Sequence, residues 1–429
     1  MIKAGLIGEK LTHSLSPQLH EKYGRLAGLD IAYSLHETAP LGLAALLDRL
    51  EADGYAGVNV TIPYKKAVIP YLASLSPEAQ AIGAVNTIRF GSGGRTGHNT
   101  DYFGLKSLLE RNGIMLAERR VAVLGSGGAA RCAYFLARDE GAAEVFTVSR
   151  RPEEADSDIS AINYAALERM DSIDVLINAT PVGMYPHVSA CPVPDAVIQK
   201  CGAVVDTIYN PAKTALLKKA SALGIPHANG LWMLCAQALA SEQIWTGRPF
   251  TVEECAAVYD CIRRSNIVLI GMPGSGKSTA GALLAERLGM GFADTDAMVE
   301  AAHGPIPGIF AQHGEAVFRQ YELDAAREAA SNMRTVISTG GGIVHTETAM
   351  QALRDTGVVV YVDRPLETLL SETDTSGRPL LAGGKSAIAT LYQKRHQLYR
   401  EYADIITENT ADAAACVQDI INKLEEYLR

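Results

Sequence analysis

A short apolar run, Ile267-Val268-Leu269-Ile270, ends in Gly271-Met272-Pro273-Gly274-Ser275-Gly276-Lys277-Ser278-Thr279. No other stretch restricts the fold of this chain as much. The spacing G-x-x-x-x-G-K-S suits a turn between a strand and a helix in which backbone N–H groups point inward around phosphate oxygens. Lys277 would reach the outer phosphates, and the Ser278 hydroxyl would face a divalent metal. Such a strand belongs inside a parallel sheet covered by helices. A second glycine-rich turn stands far upstream, where Val121-Ala122-Val123-Leu124 leads into Gly125-Ser126-Gly127-Gly128-Ala129-Ala130. This G-x-G-x-x-A pattern allows a tight turn at Gly125 and close backbone approach at Gly127, ahead of a helix N-terminus that attracts anions.

Other segments repeat the alternation of strand and helix, so we expect α/β layers with largely parallel sheets. The predicted strands are 3–7, 57–62, 121–124, 145–148, 174–178 and 204–208, then 267–270, 335–338, 358–362 and 404–407. Leu43, Leu46, Leu47 and Leu50 share one face of a predicted helix. Residues 85–101, centred on Gly91-Ser92-Gly93-Gly94, read as a hairpin. A predicted helix over 252–264 ends at Arg263-Arg264-Ser265, directly before the second phosphate loop. The chain of 429 residues is long enough for three domains. We expect a first domain over 1–101 completed by 231–264, a dinucleotide-binding domain of Rossmann type over 102–230, and a P-loop domain over 266–429.

Composition narrows the class of protein. The net charge is −9, and no block of like charge stands out, which argues against a nucleic-acid partner. No apolar run approaches the ~18 residues of a membrane span. Residues 1–8 read as a strand running into a turn, not as a targeting segment. Seven scattered cysteines without a C-x-x-C pair suggest reduced thiols, a cytoplasmic location and no zinc site. The oligomeric state is left open; a monomer is compatible with everything above.

The strand after the first glycine turn ends in Ser149-Arg150-Arg151. A fold that prefers NAD places an acid near this point, roughly 20 residues on, for the ribose 2′-hydroxyl. Two arginines there suit a 2′-phosphate and hence NADP(H), although Glu153 and Glu154 follow closely and would weaken the site.

Further stretches then converge. They are His13-Ser14-Leu15-Ser16-Pro17, Asn59-Val60-Thr61-Ile62-Pro63-Tyr64-Lys65-Lys66, Gly83-Ala84-Val85-Asn86-Thr87 and Gly97-His98-Asn99-Thr100-Asp101. Asn178-Ala179-Thr180-Pro181-Val182-Gly183-Met184, Asp206-Thr207-Ile208-Tyr209-Asn210-Pro211 and Asn229-Gly230-Leu231-Trp232 through Gln237 follow in order. Over about residues 1–264 this set resembles shikimate dehydrogenase. The resemblance implies NADPH-dependent reduction of 3-dehydroshikimate to shikimate. It implies Lys65 as the leading catalytic residue with Asp101 beside it, and Ser14 and Ser16 on the substrate carboxylate. Asn59, Thr61, Asn86, Tyr209 and Gln237 would meet the ring hydroxyls or lie near them. Gly125, Ser126, Gly127, Gly128, Ala129, Ser149, Arg150, Arg151, Thr180 and Gly230 would hold the cofactor. Singly, a serine before a proline or a lysine after a strand is ordinary turn or surface chemistry; the ordered set is what carries the reading.

The second half has its own set: Asp294-Thr295-Asp296, Gly314-Glu315-Ala316-Val317-Phe318-Arg319, Gly340-Gly341-Gly342, Gly377-Arg378-Pro379 and Arg395-His396. With the phosphate loop it resembles shikimate kinase over about 266–429. The resemblance implies that Gly274, Ser275, Gly276, Lys277, Ser278 and Thr279 bind ATP, with Arg378 closing over it from a lid. Ser278 and Asp294 would hold Mg²⁺. Asp296 would orient the attacking hydroxyl, Arg319 and Arg395 would bind the substrate carboxylate, and Gly341 and Gly342 would let the ring approach the backbone. Taken individually, Arg319 could be a surface ion-pair residue with Glu315 or Glu322, and Asp294 a helix cap. Two departures stand out: residues 372–376 lack the second lid arginine, and Gly304-Pro305-Ile306-Pro307-Gly308 is rich in helix breakers.

The two implied reactions are consecutive, so the expectation is one bifunctional enzyme of the shikimate pathway. Three rivals stay open at this level. They are a quinate/shikimate dehydrogenase with a kinase half of altered or lost activity, a sensor that binds shikimate without turnover, and a kinase for another small molecule.

Overall fold

The computed structural model describes residues 1–11, 14–184, 187–373, 384–410 and 412–427. The chain divides into two compact units, Met1–Ile262 and Arg263–Arg429. Among the described residues three sheets form, two in the first unit and one in the second.

The first sheet contains β1 (Ile2–Gly8), β2 (Ile31–Glu37), β3 (Gly57–Val60), β4 (Ser74–Leu75), β5 (Thr87–Arg89) and β6 (Thr96–His98), in the order β2-β1-β3-β5-β6-β4. β1 pairs in parallel with β2 and β3, whereas β5 runs antiparallel to β3 and β6, which forms the expected hairpin. The leucine stripe lies on helix Leu43–Ala52 and packs with Ile7, Val58, Val60, Tyr64 and Ile88 into one core. β3 stops two residues earlier than expected. Pro63 has no N–H for a ladder, and the Tyr64 N–H closes a turn onto the Thr61 carbonyl at 2.8 Å. The strand expectation omits β2, an edge strand whose residues are half-buried or exposed.

The second sheet contains β7 (Arg120–Leu124), β8 (Glu144–Val148), β9 (Ala161–Ile162), β10 (Ile173–Asn178), β11 (Cys201–Asp206) and β12 (His227–Ala228). Its order is β12-β11-β10-β7-β8-β9, and every pairing is parallel. The strand order reverses beside β7, so its carboxyl end is the crevice where an open α/β sheet takes its ligand. Gly125 follows there, at φ 115°, and helix Gly128–Asp139 starts three residues later. β11 begins three residues earlier than expected, and it ends early because the Asp206 carboxylate accepts the Ile208 N–H at 3.1 Å and turns the chain out of the sheet.

The third sheet contains β13 (Asn266–Ile270), β14 (Gly291–Asp294), β15 (Thr335–Ser338), β16 (Gly357–Asp363) and β17 (Ile405–Glu408). All pairings are parallel, in the order β14-β15-β13-β16-β17. β13 is central and wholly buried, as its unbroken apolar run requires. Its two faces feed separate cores, one holding Val268, Ile270, Ile337 and Tyr361, the other Ile267, Leu269, Leu284 and Val417. Among the described residues no helix is long and apolar enough to cross a membrane.

Candidate active sites

In the first unit the loops after β1 and β3, the hairpin β5–β6 and helices Thr100–Arg111 and Leu231–Thr246 supply one buried polar network. Lys65 Nζ lies 2.6 Å from Asp101 Oδ2. Asn86 Nδ2 donates to the other Asp101 oxygen at 2.9 Å, while Asn86 Oδ1 accepts the Thr100 N–H at 2.8 Å. Helix Thr100–Arg111 carries Asp101 in its first turn, where the helix dipole favours a negative charge. Thr100 Oγ1 lies 3.3 Å from Gln237 Oε1 and 3.2 Å from Ser241 Oγ, which ties the network to helix Leu231–Thr246.

Asn59 is tied into the same network. Its Nδ2 donates to Thr87 Oγ1 at 3.0 Å and to Ser241 Oγ at 2.9 Å, and its Oδ1 accepts the Tyr33 hydroxyl at 2.7 Å. Protein neighbours thus engage the amide at both ends. Tyr33, Thr87 and Ser241 are the network members that sequence reasoning missed. Ser241 lies one helical turn after Gln237, a detectable signal, but Tyr33 sits on the overlooked β2. Behind Tyr33, the His20 ring stacks at 3.9 Å, and its Nδ1 lies 2.6 Å from buried Glu242 Oε1. The Ser16 N–H donates to Ser14 Oγ at 3.2 Å, placing both serines in one turn. Thr61 lies in the turn after β3, and His13 falls outside the described residues.

On the cofactor side, Ser126, Ser149, Arg150 and Arg151 line a cavity of about 200 Å³ beside the glycine turn. Gly127, Gly128 and Ala129 open helix Gly128–Asp139, whose free N–H groups suit a pyrophosphate. Thr180 is held by its N–H and hydroxyl, which donate to Asn178 Oδ1 at 3.1 and 2.7 Å. Asn178 in turn donates to Asp206 at 3.0 Å. Burial pushes the Asp206 carboxyl up to about 6, against three hydrogen bonds that favour its charge. This pair fixes the turn that carries Tyr209, whose phenol burial pushes upward. Gly230 must be glycine, because a Cβ there would overlap the Thr207 carbonyl.

The second unit encloses a cavity of about 580 Å³ at the carboxyl end of β13. Gly274, Gly276, Lys277, Ser278 and Thr279 line one end of it. Gly274 and Gly276 take φ of 82° and 87°. The Lys277 ammonium donates to the carbonyls of Gly271 and Met272 at 3.0 and 2.9 Å, arching over the loop. The Ser275 side chain is buried beneath the loop and does not face the cavity, so Ser275 offers only backbone. Ser278 Oγ donates to Asp294 Oδ2 at 2.7 Å, while Asp294 Oδ1 caps the next helix through the N–H groups of Asp296 and Ala297. Asp294 therefore caps a helix and also joins a hydroxyl to form an oxygen donor set that suits Mg²⁺.

Asp296, Arg319, Gly341, Gly342 and Arg395 line the same cavity. Arg319 forms the ion pairs its sequence position allows, with Glu322 at 2.7 Å and Glu315 at 2.8 Å, and also borders the cavity. Burial pushes Glu322 up to about 7; the Arg319 charge opposes the shift and the Asp296 charge adds to it. Arg395 Nε donates to His345 Nε2 at 3.2 Å, and its Nη1 to the Gly341 carbonyl at 3.0 Å. Partial burial and then the Arg395 charge push His345 down. A Cβ on Gly342 would overlap the Arg319 guanidinium, and one on Gly341 would press into Pro273. Helix Ile306–Ala330 breaks at Gly314, at φ 78° and ψ 177°, which starts a new helical run toward Arg319. Of the breakers at 304–308, Gly304 and Pro305 separate this helix from Thr295–His303, whereas Pro307 and Gly308 sit in its first turn. Arg378 lies outside the described residues.

A dinucleotide-binding oxidoreductase and a P-loop phosphotransferase thus share one chain. The comparisons with known proteins narrow both classes. Residues 6–88 match the family model "Shikimate dehydrogenase substrate binding domain", and residues 273–425 match "Shikimate kinase". The NADP(+) shikimate dehydrogenase of Clostridium perfringens is 41% identical over 248 residues, which are 57% of this chain and 92% of that protein. That of Methanocaldococcus jannaschii is 36% identical over 258 residues, covering 57% and 90%. Among solved structures, a chorismate mutase/shikimate 5-dehydrogenase fusion from Clostridium acetobutylicum superposes with a TM-score of 0.59 at 38% identity, covering 61% of this chain and 97% of that one. The Thermus thermophilus shikimate 5-dehydrogenase, in complex with NADP(H) and shikimate, gives 0.56 at 34% identity, covering 60% and 98%. Through its first half the chain belongs to the shikimate dehydrogenase family, and its second half carries a shikimate kinase domain.

Proposed function

We propose that the chain works as a cytoplasmic bifunctional enzyme that reduces 3-dehydroshikimate with NADPH and then phosphorylates the shikimate so formed with ATP. The observation that carries this reading is the Lys65–Asp101 contact of 2.6 Å, held by Asn86, in the same chain as a P-loop cavity bordered by Asp296, Arg319 and Arg395.

In the first unit Lys65 holds the ketone oxygen and gives it a proton as that oxygen becomes a hydroxyl. Asp101 keeps the ammonium aimed at the oxygen, and Asn86 keeps Asp101 from rotating. Ser14 and Ser16 hold the substrate carboxylate, while Thr61, Tyr209 and Gln237 bound the ring hydroxyls. The cofactor, held by the Gly125–Ala129 turn, Thr180, Gly230 and the Ser149–Arg151 segment, supplies the hydride when bound.

In the second unit Arg319 and Arg395 present guanidinium forks to the carboxylate of shikimate. Asp296 orients the new hydroxyl. Lys277 and the loop N–H groups neutralise charge on the transferred phosphoryl group, where positioning and electrostatics do most of the catalysis. Ser278 and Asp294 would hold Mg²⁺, which supplies further charge neutralisation there.

Product analysis by mass spectrometry tests the reading. Protein incubated with 3-dehydroshikimate, NADPH, ATP and Mg²⁺ should yield shikimate 3-phosphate. Shikimate without phosphate would favour the second reading, in which the acidic segment after Leu370 has altered the kinase; parallel turnover of quinate would extend it to the first unit.

A further inference from the structure

The cavity beside Arg150 receives one side chain from outside the dinucleotide-binding sheet. Lys66 lines it together with Ser126, Ser149, Arg150 and Arg151. Four cations surround this space, but acids occupy two of them. Arg151 pairs with Glu154 at 2.7 Å, and Arg131 pairs with Asp156 and donates to the Ile82 carbonyl. Arg150 and Lys66 form no ion pair among the described residues, and both are exposed toward solvent. A 2′-phosphate carries close to two negative charges near neutral pH. One free arginine leaves much of that charge unanswered.

Lys66 comes from the one-turn helix Tyr64–Ala67. Neighbouring residues on a helix diverge by about 100°. Lys65 turns to Asp101, and Lys66 therefore faces a different direction, into the cofactor cavity. The helix stands close to the glycine turn, since a Cβ on Gly128 would lie 3.9 Å from Lys65 Cδ. We propose that Lys66 is a specificity-determining ligand of the cofactor 2′-phosphate, the second free cation of that site. It replaces the charge that Glu154 withdraws from Arg151. The proposal rests on the NADPH reading of the first unit. It also means that the residue after the leading catalytic lysine reports whether the phosphorylated cofactor is bound.

The test is calorimetric titration of the full chain with 2′,5′-ADP and with 5′-AMP, which differ only by the 2′-phosphate. Lys66→Ala should weaken 2′,5′-ADP about tenfold, the low end for a charge-assisted hydrogen bond at an exposed site. It should leave 5′-AMP within twofold, and Lys66→Arg should recover most of the loss. Arg150→Ala serves as the reference for a 2′-phosphate ligand. In turnover, Lys66→Ala should raise the KM for NADPH by a similar factor and that for NADH little. Equal weakening of both nucleotides would place Lys66 at the pyrophosphate and overturn the proposal, as would unchanged affinity for 2′,5′-ADP. Wild-type protein that binds both nucleotides alike would overturn the NADPH reading and the proposal together.

Discussion

Lys65 and Glu322 illustrate two ways in which one charged residue matters. Lys65 sits 2.6 Å from its acid and keeps part of its side chain exposed, a geometry for moving a proton. Lys65→Ala should lower kcat for NADPH oxidation by about 10²–10⁴, the usual range for a positioned acid, while phosphorylation of added shikimate continues. A parallel loss of both activities would contradict two separate sites. Glu322 is buried and held at about 7, far above an ordinary glutamate. The folded unit keeps its proton up to that pH, whereas the unfolded chain releases it near 4.5. Stability should therefore fall as pH rises from about 4.5 to about 7 and level off above, by up to about 3 kcal/mol. Glu322→Gln should remove most of this slope, read by pulse proteolysis of the second unit in urea at several pH values. The variant should also raise the KM for shikimate, because Arg319 loses its buried anchor.

At the scale of elements, the helix break at Gly314 has a definite consequence. Its φ of 78° with ψ of 177° is open to glycine and costly for other residues. A Cβ there would touch nothing within 4 Å, so the cost lies in the backbone and not in packing. Gly314→Ala should destabilise the second unit by about 1–3 kcal/mol in urea unfolding. It should also raise the KM for shikimate more than it lowers kcat, because Arg319 depends on the restarted helix for its direction. The elements that were legible in the sequence are those with strong patterning: the leucine stripe of helix Leu43–Ala52, the glycine-centred hairpin, and the apolar runs of β7, β13 and β16. β2 was not, because an edge strand half open to water shows no continuous apolar run and no clean burial alternation. The ends of β3 and β11 were missed for a local reason. Pro63 in one case and the Asp206 side chain in the other withdraw the chain from its ladder.

For the molecule as a whole, two units with separate cores carry two chemistries with different needs. The oxygen donor set of Ser278 and Asp294 belongs to the second unit, whereas the Asp101 carboxylate of the first is engaged by the Lys65 ammonium and the Asn86 amide. Chelation with EDTA should abolish phosphorylation and leave NADPH oxidation within twofold of its starting rate, and Mg²⁺ should restore the loss. A fall in both rates would contradict the assignment of Mg²⁺ to the Ser278–Asp294 set of the second unit.

Motifs that lie within a few residues of one another were readable from the chain alone. The loop 271–279, the turn 125–130 and the Ser149-Arg150-Arg151 cluster follow from glycine geometry and charge, which act locally. The ordered sets of such motifs are what carried the resemblance to the two families, and the two consecutive reactions were what that resemblance implied. Contacts between distant segments were not. Asn59 turned out to be buried because Tyr33, Thr87 and Ser241 arrive from three other elements to bond its amide. The ion pairs of Arg319 lie within its own helix and were readable, but its place in the cavity wall depends on loops from other elements, such as the one that carries Gly342. Nothing in the sequence assigns Lys66 a role of its own, and it lines the cofactor cavity because helix Tyr64–Ala67 lies beside the glycine turn at Gly128. Local conformation depends on neighbours along the chain, whereas the partners of a polar side chain depend on which segments packing brings together.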